Sequence, residues 1–318
     1  MKGQEITRLT NIWSKISRQD DRPVSRVVIE STRPLAYQLR RINQVVALTI
    51  DQAVPNMYCD TLAVYDGLIN EITVQPEESN RVTVFITLNH QAPCAVSSTE
   101  GLPVRTFFSF DRAYLSDLFT ERRIVIDPGH GGRDAGGRGP VDLLEKNVAL
   151  TMARSLKNLL EQVNAQVWLT RESDFFLSPQ ERLGLAREKR AHLLISFHTN
   201  YSKDSRVGGL AINYNPAHPA GRHLAQLTCT ELVRKIKRTV LEIKADKELT
   251  ALGTVPGLKI MPVTISNWVE EGLLRNPTFY EKIALGVMNG LSRYFAAMQV
   301  QEYPYPGAQG CKDTKAQG

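Results

Sequence analysis

Four ionisable side chains occupy positions from which they could act together in one reaction centre. His130, His198 and Glu270 each follow a predicted strand, and Glu145 begins the helix predicted after a glycine-rich loop. Functional side chains of open α/β sheets collect at the carboxyl ends of the strands. We therefore expect these four residues to converge at one edge of a sheet.

Two histidines and a glutamate are the ligand types of a catalytic zinc site, which takes three protein ligands and leaves a fourth position for water. Gly129 and Gly131 flank His130 and would allow a sharp turn close to a metal. His130, Glu145 and His198 are separated by 15 and 53 residues, so the fold must assemble them. This pattern differs from the short helical H-E-x-x-H motif.

Each of these residues also has an ordinary structural explanation. A single histidine at a strand end is more often a hydrogen-bonded core or surface residue, and Glu145 alone would be a charge favoured at a helix start. The glycines of residues 129–139 could cradle a phosphate, but the Lys-Ser/Thr of a P-loop and the G-x-G-x-x-G spacing are missing. The ordinary explanation is assigned to four further histidines: His90, His192, His218 and His223.

The segment that carries these residues alternates between strand and helix patterns. We predict strands at residues 123–127, 166–170, 193–197, 210–214 and 264–269, and helices at residues 144–159, 179–190, 220–238 and 278–298. Such alternation predicts an α/β domain with a largely parallel sheet flanked by helices. We expect this domain at residues 122–298, followed by a flexible tail at 299–318.

The first third of the chain has a different pattern. Short β-branched or aromatic runs at residues 26–30, 45–51, 72–75, 81–88 and 105–110 alternate with turn signals, which predicts an all-β sandwich. No plausible group of catalytic side chains gathers there, so binding or positioning is the expected role. We place this domain at residues 1–115 and a linker at 116–121.

Charge is distributed unevenly between the two parts of the 318-residue chain. Residues 1–123 hold 14 basic and 14 acidic side chains, whereas residues 124–318 hold 25 and 19, so the formal net charge of +6 lies entirely in the second part. A basic domain attracts polyanions such as nucleic acid, anionic lipid or anionic cell-wall polymer. Charge alone does not choose among them.

The sequence gives limited information about compartment. It has no apolar run of the roughly 18 residues that cross a bilayer and no apolar stretch near Met1 of the signal-peptide kind. The four cysteines form no closely spaced metal-binding pair, and Cys59 and Cys94 could either pair in an exported protein or remain free thiols.

Three motifs of the second domain resemble those of one family, the zinc-dependent N-acetylmuramoyl-L-alanine amidases. The similar segments are Ile126-Asp127-Pro128-Gly129-His130-Gly131-Gly132 with Glu145-Lys146-Asn147, Ser196-Phe197-His198-Thr199-Asn200, and the run from Val269 to Pro277. Leu169-Thr170-Arg171, Asp174 and Arg182 also follow the family. The resemblance covers about residues 122–297.

The resemblance implies roles for individual residues. His130, Glu145 and His198 would bind one zinc ion, and Glu270 would be the catalytic glutamate. Glu271 occupies a position that varies in the family and receives no role. The chain departs from the family at Arg187, His192 and Arg275, beside the implied ligands, which affects substrate contacts more than the metal site.

The first domain more loosely resembles the AMIN domain, a β-sandwich that holds such enzymes at the cell wall. Its similar segments are residues 25–30, 66–69 and 103–105. Some relatives insert a helix that blocks the zinc. We expect no such helix here, because one strand, one helix and a connector account for the 72 residues between His198 and Glu270.

The resemblance therefore implies a peptidoglycan hydrolase of the cell envelope, cleaving the amide between N-acetylmuramic acid and L-alanine. Its expected partners are peptidoglycan and anionic wall polymers, without nucleic acid; the need for an activator stays open. The absent signal peptide indicates a mature or trimmed form. Two alternatives remain: a non-catalytic peptidoglycan-binding protein, and a zinc peptidase that cuts within the stem peptide.

Overall fold

The computed structural model describes residues 6–20 and 22–302 of the chain. The expected tail therefore lies outside the described residues from position 303 onward, and Cys311 lies there too. The other three cysteines, Cys59, Cys94 and Cys229, are free thiols. Within the described residues, no helix is long and apolar enough to cross a membrane.

The first part of the chain consists of strands. They are β1 (Thr7–Gln19), β2 (Arg22–Ser31), β3 (Tyr37–Ile42), β4 (Val45–Asp51), β5 (Ala53–Pro55), β6 (Thr61–Ala63), β7 (Ile69–Glu77), β8 (Arg81–Leu88), β9 (Cys94–Thr99) and β10 (Val104–Asp111). They form two five-stranded sheets, in the orders β5-β1-β2-β10-β9 and β3-β4-β8-β7-β6. All neighbouring strands are antiparallel except β1 and β5, which are parallel.

Alternating side chains place the core between these sheets. Val46, Leu48 and Ile50 of β4 are buried, while the residues between them are partly exposed. They belong to one hydrophobic cluster with Ile29 and Phe108 of the other sheet. This arrangement is consistent with the expected sandwich, because each sheet buries one face against the other.

A short helix lies where the sequence predicts a linker. Helix α1 (Ala113–Phe119) buries Leu115, Leu118 and Phe119. The ring of Phe119 packs edge-on against Phe295, with ring centroids 5.5 Å apart. The segment at 116–121 is therefore partly helical and packed rather than an exposed connector.

The second part of the chain combines strands and helices. They are β11 (Arg123–Pro128), α2 (Glu145–Glu161), β12 (Gln166–Leu169), α3 (Pro179–Glu188), β13 (Leu193–Phe197), β14 (Leu210–Tyr214), α4 (Gly221–Ile236), β15 (Val240–Ala245), a 3₁₀ helix (Glu248–Leu252), β16 (Gly257–Met261), α5 (Trp268–Leu273) and α6 (Pro277–Glu302). The sheet order is β12-β11-β13-β16-β14-β15. Four neighbouring strands, β12, β11, β13 and β16, are parallel, whereas β14 is antiparallel to β16. Strands β14 and β15 are again parallel, so the sheet is mixed but four of its five pairings are parallel, as the sequence predicts.

The prediction of a strand at residues 264–269 is wrong. The sheet instead takes β16, whose Leu258 and Ile260 are fully buried. The Asn267 side chain accepts hydrogen bonds from the backbone N–H groups of Val269 and Glu270, which caps helix α5. Glu270 consequently lies in a short helix and not at a strand end.

The sequence prediction for the interval between His198 and Glu270 is also incomplete. It contains β15, the 3₁₀ helix and β16 in addition to the expected strand and helix. Helix α4 packs closely on α6, since a Cβ atom at Gly290 would lie 2.5 Å from the Thr228 Cα. The long helix of this interval, α4, therefore packs against α6.

Candidate metal centre and active site

The loop after β11 positions His130. Strand β11 is buried along Ile124, Val125 and Ile126, and His130 then adopts a left-handed conformation with φ of 59°. This φ is uncommon for a residue with a side chain. A Cβ atom at Gly129 would lie 2.3 Å from the Cε1 of His198, so glycine leaves the space that the second imidazole occupies.

Glu145 begins α2, as the sequence predicts, and its carboxylate points into the same region. Its Oε2 accepts a hydrogen bond of 2.7 Å from the Gly137 backbone, and its Oε1 accepts one of 2.8 Å from Thr199. These two bonds fix the carboxylate between the glycine-rich loop and the end of β13.

The side chains of His130, Glu145 and His198 form one cluster. Nε2 of His130, Oε1 of Glu145 and Nδ1 of His198 are each 3.2 Å from the other two atoms. They are the group of metal-ligand side chains found among the described residues, with all ligand atoms within 4.8 Å of one another. The structure therefore brings together three of the four residues singled out in the sequence.

This triangle fits the dimensions of a zinc site. Zinc bonds to histidine and carboxylate are about 2.0–2.2 Å long, so donors at tetrahedral angles would be about 3.3 Å apart. The observed separations are close to this value, and the imidazoles of His130 and His198 remain 22% and 21% exposed. The donor set could hold a metal that is reached from solvent.

The electrostatics of the cluster favour a positive charge at its centre. Burial alone would raise the pKa of Glu145, but hydrogen bonds and charges from the two imidazoles hold it well below its usual range. Burial would lower the pKa of His130, but Glu145 and Asp134 together raise it. A proton or a metal cation can supply that charge.

Asp134 supports His130 from behind. Its Oδ2 lies 2.9 Å from Nδ1 of His130, and its Oδ1 accepts a hydrogen bond from the Gly136 backbone. Burial would raise the pKa of Asp134, but its bond to His130 is among the contacts that lower it. A carboxylate on the second ring nitrogen orients a metal-binding histidine and leaves the first nitrogen free to bind.

A buried ionic network holds the glycine-rich loop in place. Asp127 accepts hydrogen bonds from Thr170, Arg182 and Ser196; burial would raise its pKa, but the Arg182 charge and these bonds lower it. Arg182 also donates to the His130 carbonyl, and Arg171 donates to the Gly129 carbonyl. The sequence marks both arginines as following the family but does not reveal this bracing role.

Glu270 lies outside the three-residue cluster. Its Oε2 accepts hydrogen bonds from the backbones of Gly209 at 3.0 Å and Thr264 at 2.7 Å, and its Oε1 is 3.8 Å from Arg238. Thr264 pairs with Asn200, two residues after His198. Glu270 is 3% exposed, so it is held beside the strand end that carries His198.

The remaining histidines have other surroundings. The His90 ring packs against Tyr114, with ring centroids 4.1 Å apart. Nδ1 of His192 accepts a hydrogen bond from the Arg123 backbone, and Nδ1 of His218 accepts one from Ala220. Neither these three nor His223 belongs to the metal-ligand group that the described residues form.

An apolar cleft of about 220 Å³ adjoins the cluster. Its lining includes His130, His198, Phe176, Leu183 and Leu249. Charged residues, including Asp134 and Lys259, also line it, whereas Glu145 does not, so the cleft lies beside the two histidines.

A His-Glu-His cluster beside the ends of parallel strands is the kind of donor set that metal-dependent hydrolases use. The sequence pattern of the N-acetylmuramoyl-L-alanine amidase family matches residues 124–293. The chain belongs to this family, whose members are cell-wall hydrolases.

Individual relatives agree with the family assignment. The chain is 32% identical over 188 residues to the germination-specific N-acetylmuramoyl-L-alanine amidase of Bacillus subtilis, covering 54% of this chain and 79% of that protein. It is 27% identical over 219 residues to the amidase AmiC of Escherichia coli, covering 54% of this chain and 52% of that protein. The chain thus spans about half the length of AmiC.

Solved amidase structures match the same part of the chain. The amidase AmiC2 of Nostoc punctiforme is 26% identical with a TM-score of 0.52, covering 56% of this chain and 99% of that one. An amidase from Clostridium difficile 630 is 27% identical with a TM-score of 0.53, covering 55% and 97%. The similarity therefore concerns the α/β part, and the family match leaves the first 123 residues outside.

Proposed function

We propose that the chain is a zinc enzyme that hydrolyses the amide between the lactyl group of N-acetylmuramic acid and the L-alanine of the stem peptide. The observation that carries this proposal is the triangle of donor atoms from His130, Glu145 and His198, with sides of 3.2 Å. One zinc ion per chain would be held there. Bound zinc would lower the pKa of its water and polarise the scissile carbonyl.

The side chains of the site have distinct tasks in this reaction. His130, Glu145 and His198 would hold the metal, and Asp134 would orient the His130 ring. Glu270 takes a proton from the attacking water as general base. The water oxygen bonds to the lactyl carbonyl carbon, the carbon–nitrogen bond breaks, and Glu270 returns the proton to the departing L-alanine amine.

The position of Glu270 supports this role in two ways. Its Oε2 is occupied by two backbone N–H donors, which fixes the carboxylate, while its Oε1 makes a longer ion pair of 3.8 Å with Arg238. Its partner Thr264 is paired with Asn200, near His198. This pairing holds the carboxylate near the strand end that carries His198.

The N-terminal sheets would serve as a positioning domain. We propose an AMIN-like domain at residues 1–115, a packed linker at 116–121 and the amidase domain at 122–298. The two-sheet architecture of residues 7–111 supports the AMIN resemblance. The net positive charge after residue 123 suits peptidoglycan and attached anionic polymers, so we place the protein in the cell envelope.

Digestion of purified sacculi tests the proposed reaction. The zinc-loaded full chain should release stem peptides with a free L-alanine amino terminus and leave the glycan strands intact, as measured by mass spectrometry. The same protein after chelation should release none, and zinc should restore the products. Binding to sacculi without release would identify a binding protein, and fragments cut inside the stem would identify a peptidase; either result overturns the proposal.

A further inference from the structure

Glu271, to which the sequence assigns no role, makes a second set of contacts at the site. Its carboxylate is 1% exposed. Oε2 accepts a hydrogen bond of 2.9 Å from the Val141 backbone, and Oε1 accepts one of 3.1 Å from the Leu143 backbone. One side chain of α5 thus binds two amides of the loop that precedes α2.

Arg275 completes this contact from the next turn. It donates to Oε1 of Glu271 at 3.0 Å and to the Val141 carbonyl at 2.6 Å. Gly139 is required beside them, because a Cβ atom there would lie 2.6 Å from the Glu271 Cδ. We call Glu271, Arg275 and the backbone of residues 139–143 the loop clasp.

The clasped loop leads directly into a candidate metal ligand. Gly139 donates from its backbone to the Leu143 carbonyl, and Glu145 donates from its backbone to Gly137, each at 2.9 Å. The loop is therefore closed on itself between residues 137 and 145. Any shift of residues 141–143 would move the start of α2 and the Glu145 carboxylate.

Helix α5 also carries Glu270, so the two neighbouring acids bind opposite sides of the site. Glu270 holds the backbones of Gly209 and Thr264, whereas Glu271 holds those of Val141 and Leu143. The clasp links α5, which carries the proposed base Glu270, to the loop that precedes the proposed ligand Glu145.

We propose that Glu271 and Arg275 are positioning residues that hold Glu145 in the ligand triangle. The inference rests on the proposed role of Glu145 as a zinc ligand. The buried Glu271 carboxylate accepts bonds from two amides and a guanidinium, so neutralising Glu271 or removing Arg275 takes away the charged bond that closes the clasp. The loop then relaxes, and zinc binding weakens although no ligand has changed.

The experiment measures the zinc dissociation constant of the full chain by competition with a chromophoric chelator, together with kcat and KM on sacculi. Glu271→Gln and Arg275→Ser should weaken zinc binding by about 10–100-fold, the range seen when groups supporting metal ligands are removed. At saturating zinc they should lower kcat more than they change KM, and Arg275→Lys should restore part of the affinity.

The matched control lies on the same loop. Arg138 and Asp142 form an ion pair of 2.9 Å with side chains 66% and 78% exposed. Arg138→Gln, which removes the same pair from outside the clasp, should leave zinc affinity and kcat unchanged, since exposed pairs contribute little. Its thermal unfolding provides the reference for the effect of a loop substitution on the fold alone.

Two outcomes separate this inference from the proposed function. Folded Arg275→Ser protein that melts earlier but binds zinc and turns over like the unmodified chain would overturn the positioning role. Should Glu271→Gln fail to fold, Arg275→Ser and Arg275→Lys still decide the question. Unchanged zinc affinity in Glu145→Gln would instead overturn the assigned ligand set, whatever the clasp variants show.

Discussion

At the residue scale, the site contains glycines that lie so close to the histidine rings that a larger side chain would not fit. The His198 ring fills the space above Gly129, and a Cβ atom at Gly136 would lie 2.6 Å from the Cδ2 of His130. Asp134 and Glu145 then contact the two ring nitrogens of His130, Nδ1 and Nε2 respectively. The imidazoles are therefore held before any metal binds, which reduces the entropy lost on binding.

Replacing one ligand tests the cluster directly. We expect His198→Ala to lose both zinc and turnover, because two donor atoms cannot hold the ion as three do. Metal content after dialysis and the release of stem peptides are the readouts. His223→Ala, on the exposed side of α4, should retain both. Full zinc occupancy in His198→Ala would show that the ligand set is wrong.

Replacing Glu270 separates metal binding from proton transfer. We expect Glu270→Gln to keep its zinc and lose about 10²–10⁴-fold in kcat, the usual contribution of a general base. The amide keeps an oxygen that can accept the hydrogen bonds from Gly209 and Thr264. Unchanged turnover in this variant would remove Glu270 from the mechanism.

The sequence predicts that His130, Glu145 and His198 come together, because local signals mark them. His130 lies among glycines at the end of an apolar strand, and Glu145 begins a helix with clear periodicity. The role of Glu271 could not be predicted, because its partners Val141 and Leu143 are 130 and 128 residues away. These partners are backbone N–H groups, so the types of residues 141 and 143 do not indicate the contact.

At the element scale, helix caps affect how accurately a helix and its ends can be predicted from the sequence. Ser178 and Glu181 form a capping box with proline at the start of α3, and this helix is predicted nearly to its ends. Asn267 gives the same kind of signal for α5. The apolar residues around it suggested a strand, because five or six residues are too few to distinguish the two periods.

The strands of the first part show a similar limit. The apolar residues of β1, Leu9, Ile12, Trp13 and Ile16, have helix-like spacing because the register shifts between Leu9 and Asn11. All residues of β3 are exposed, so β3 has no buried face to produce a clear alternation. Both strands escape prediction for these physical reasons.

The two caps provide a prediction about α5. We expect Ser178→Ala and Asn267→Ala each to lower the free energy of unfolding by about 1 kcal/mol, the usual cost of losing an N-cap. Asn267→Ala should in addition reduce kcat, because α5 carries Glu270. Denaturant unfolding and turnover of both variants are the measurements. Equal kcat in the two variants would contradict the placement of the proposed base on α5.

At the scale of the whole molecule, the N-terminal sheets and the amidase part share an extensive contact. Buried residues of both parts belong to one hydrophobic cluster. Polar contacts cross the same boundary: Asn289 of α6 donates to the Tyr65 carbonyl at 3.0 Å, and Lys235 of α4 donates to the Val64 carbonyl. The turn after β6 is thus fixed on the two helices.

His90 makes this boundary sensitive to acid. Burial, with the Arg112 charge as a second cause, lowers the pKa of His90 to about 4, against the weaker opposing effect of Asp66. An unfolded chain binds the proton near pH 6.5, so the unfolded state gains protons first as pH falls. The titration of His90 therefore has no effect on stability above pH 6.5, and it destabilises the folded state progressively as pH falls from 6.5 to about 4.

The pH dependence can be measured against a variant without the titrating group. Between pH 7 and pH 4.5, His90→Gln should lose less free energy of unfolding than the unmodified chain, by up to about 2–3 kcal/mol. Denaturant unfolding at both pH values gives this difference. Parallel losses in the two proteins would show that His90 titrates normally in the folded state.

The ligand set of the metal is the central claim, and zinc K-edge X-ray absorption of the loaded full chain tests it most directly. We predict two imidazole nitrogens and one carboxylate oxygen at about 2.0–2.2 Å, with an oxygen from water completing the shell. Sulfur ligands, a single imidazole or a shell of water alone would contradict the assignment of His130, Glu145 and His198.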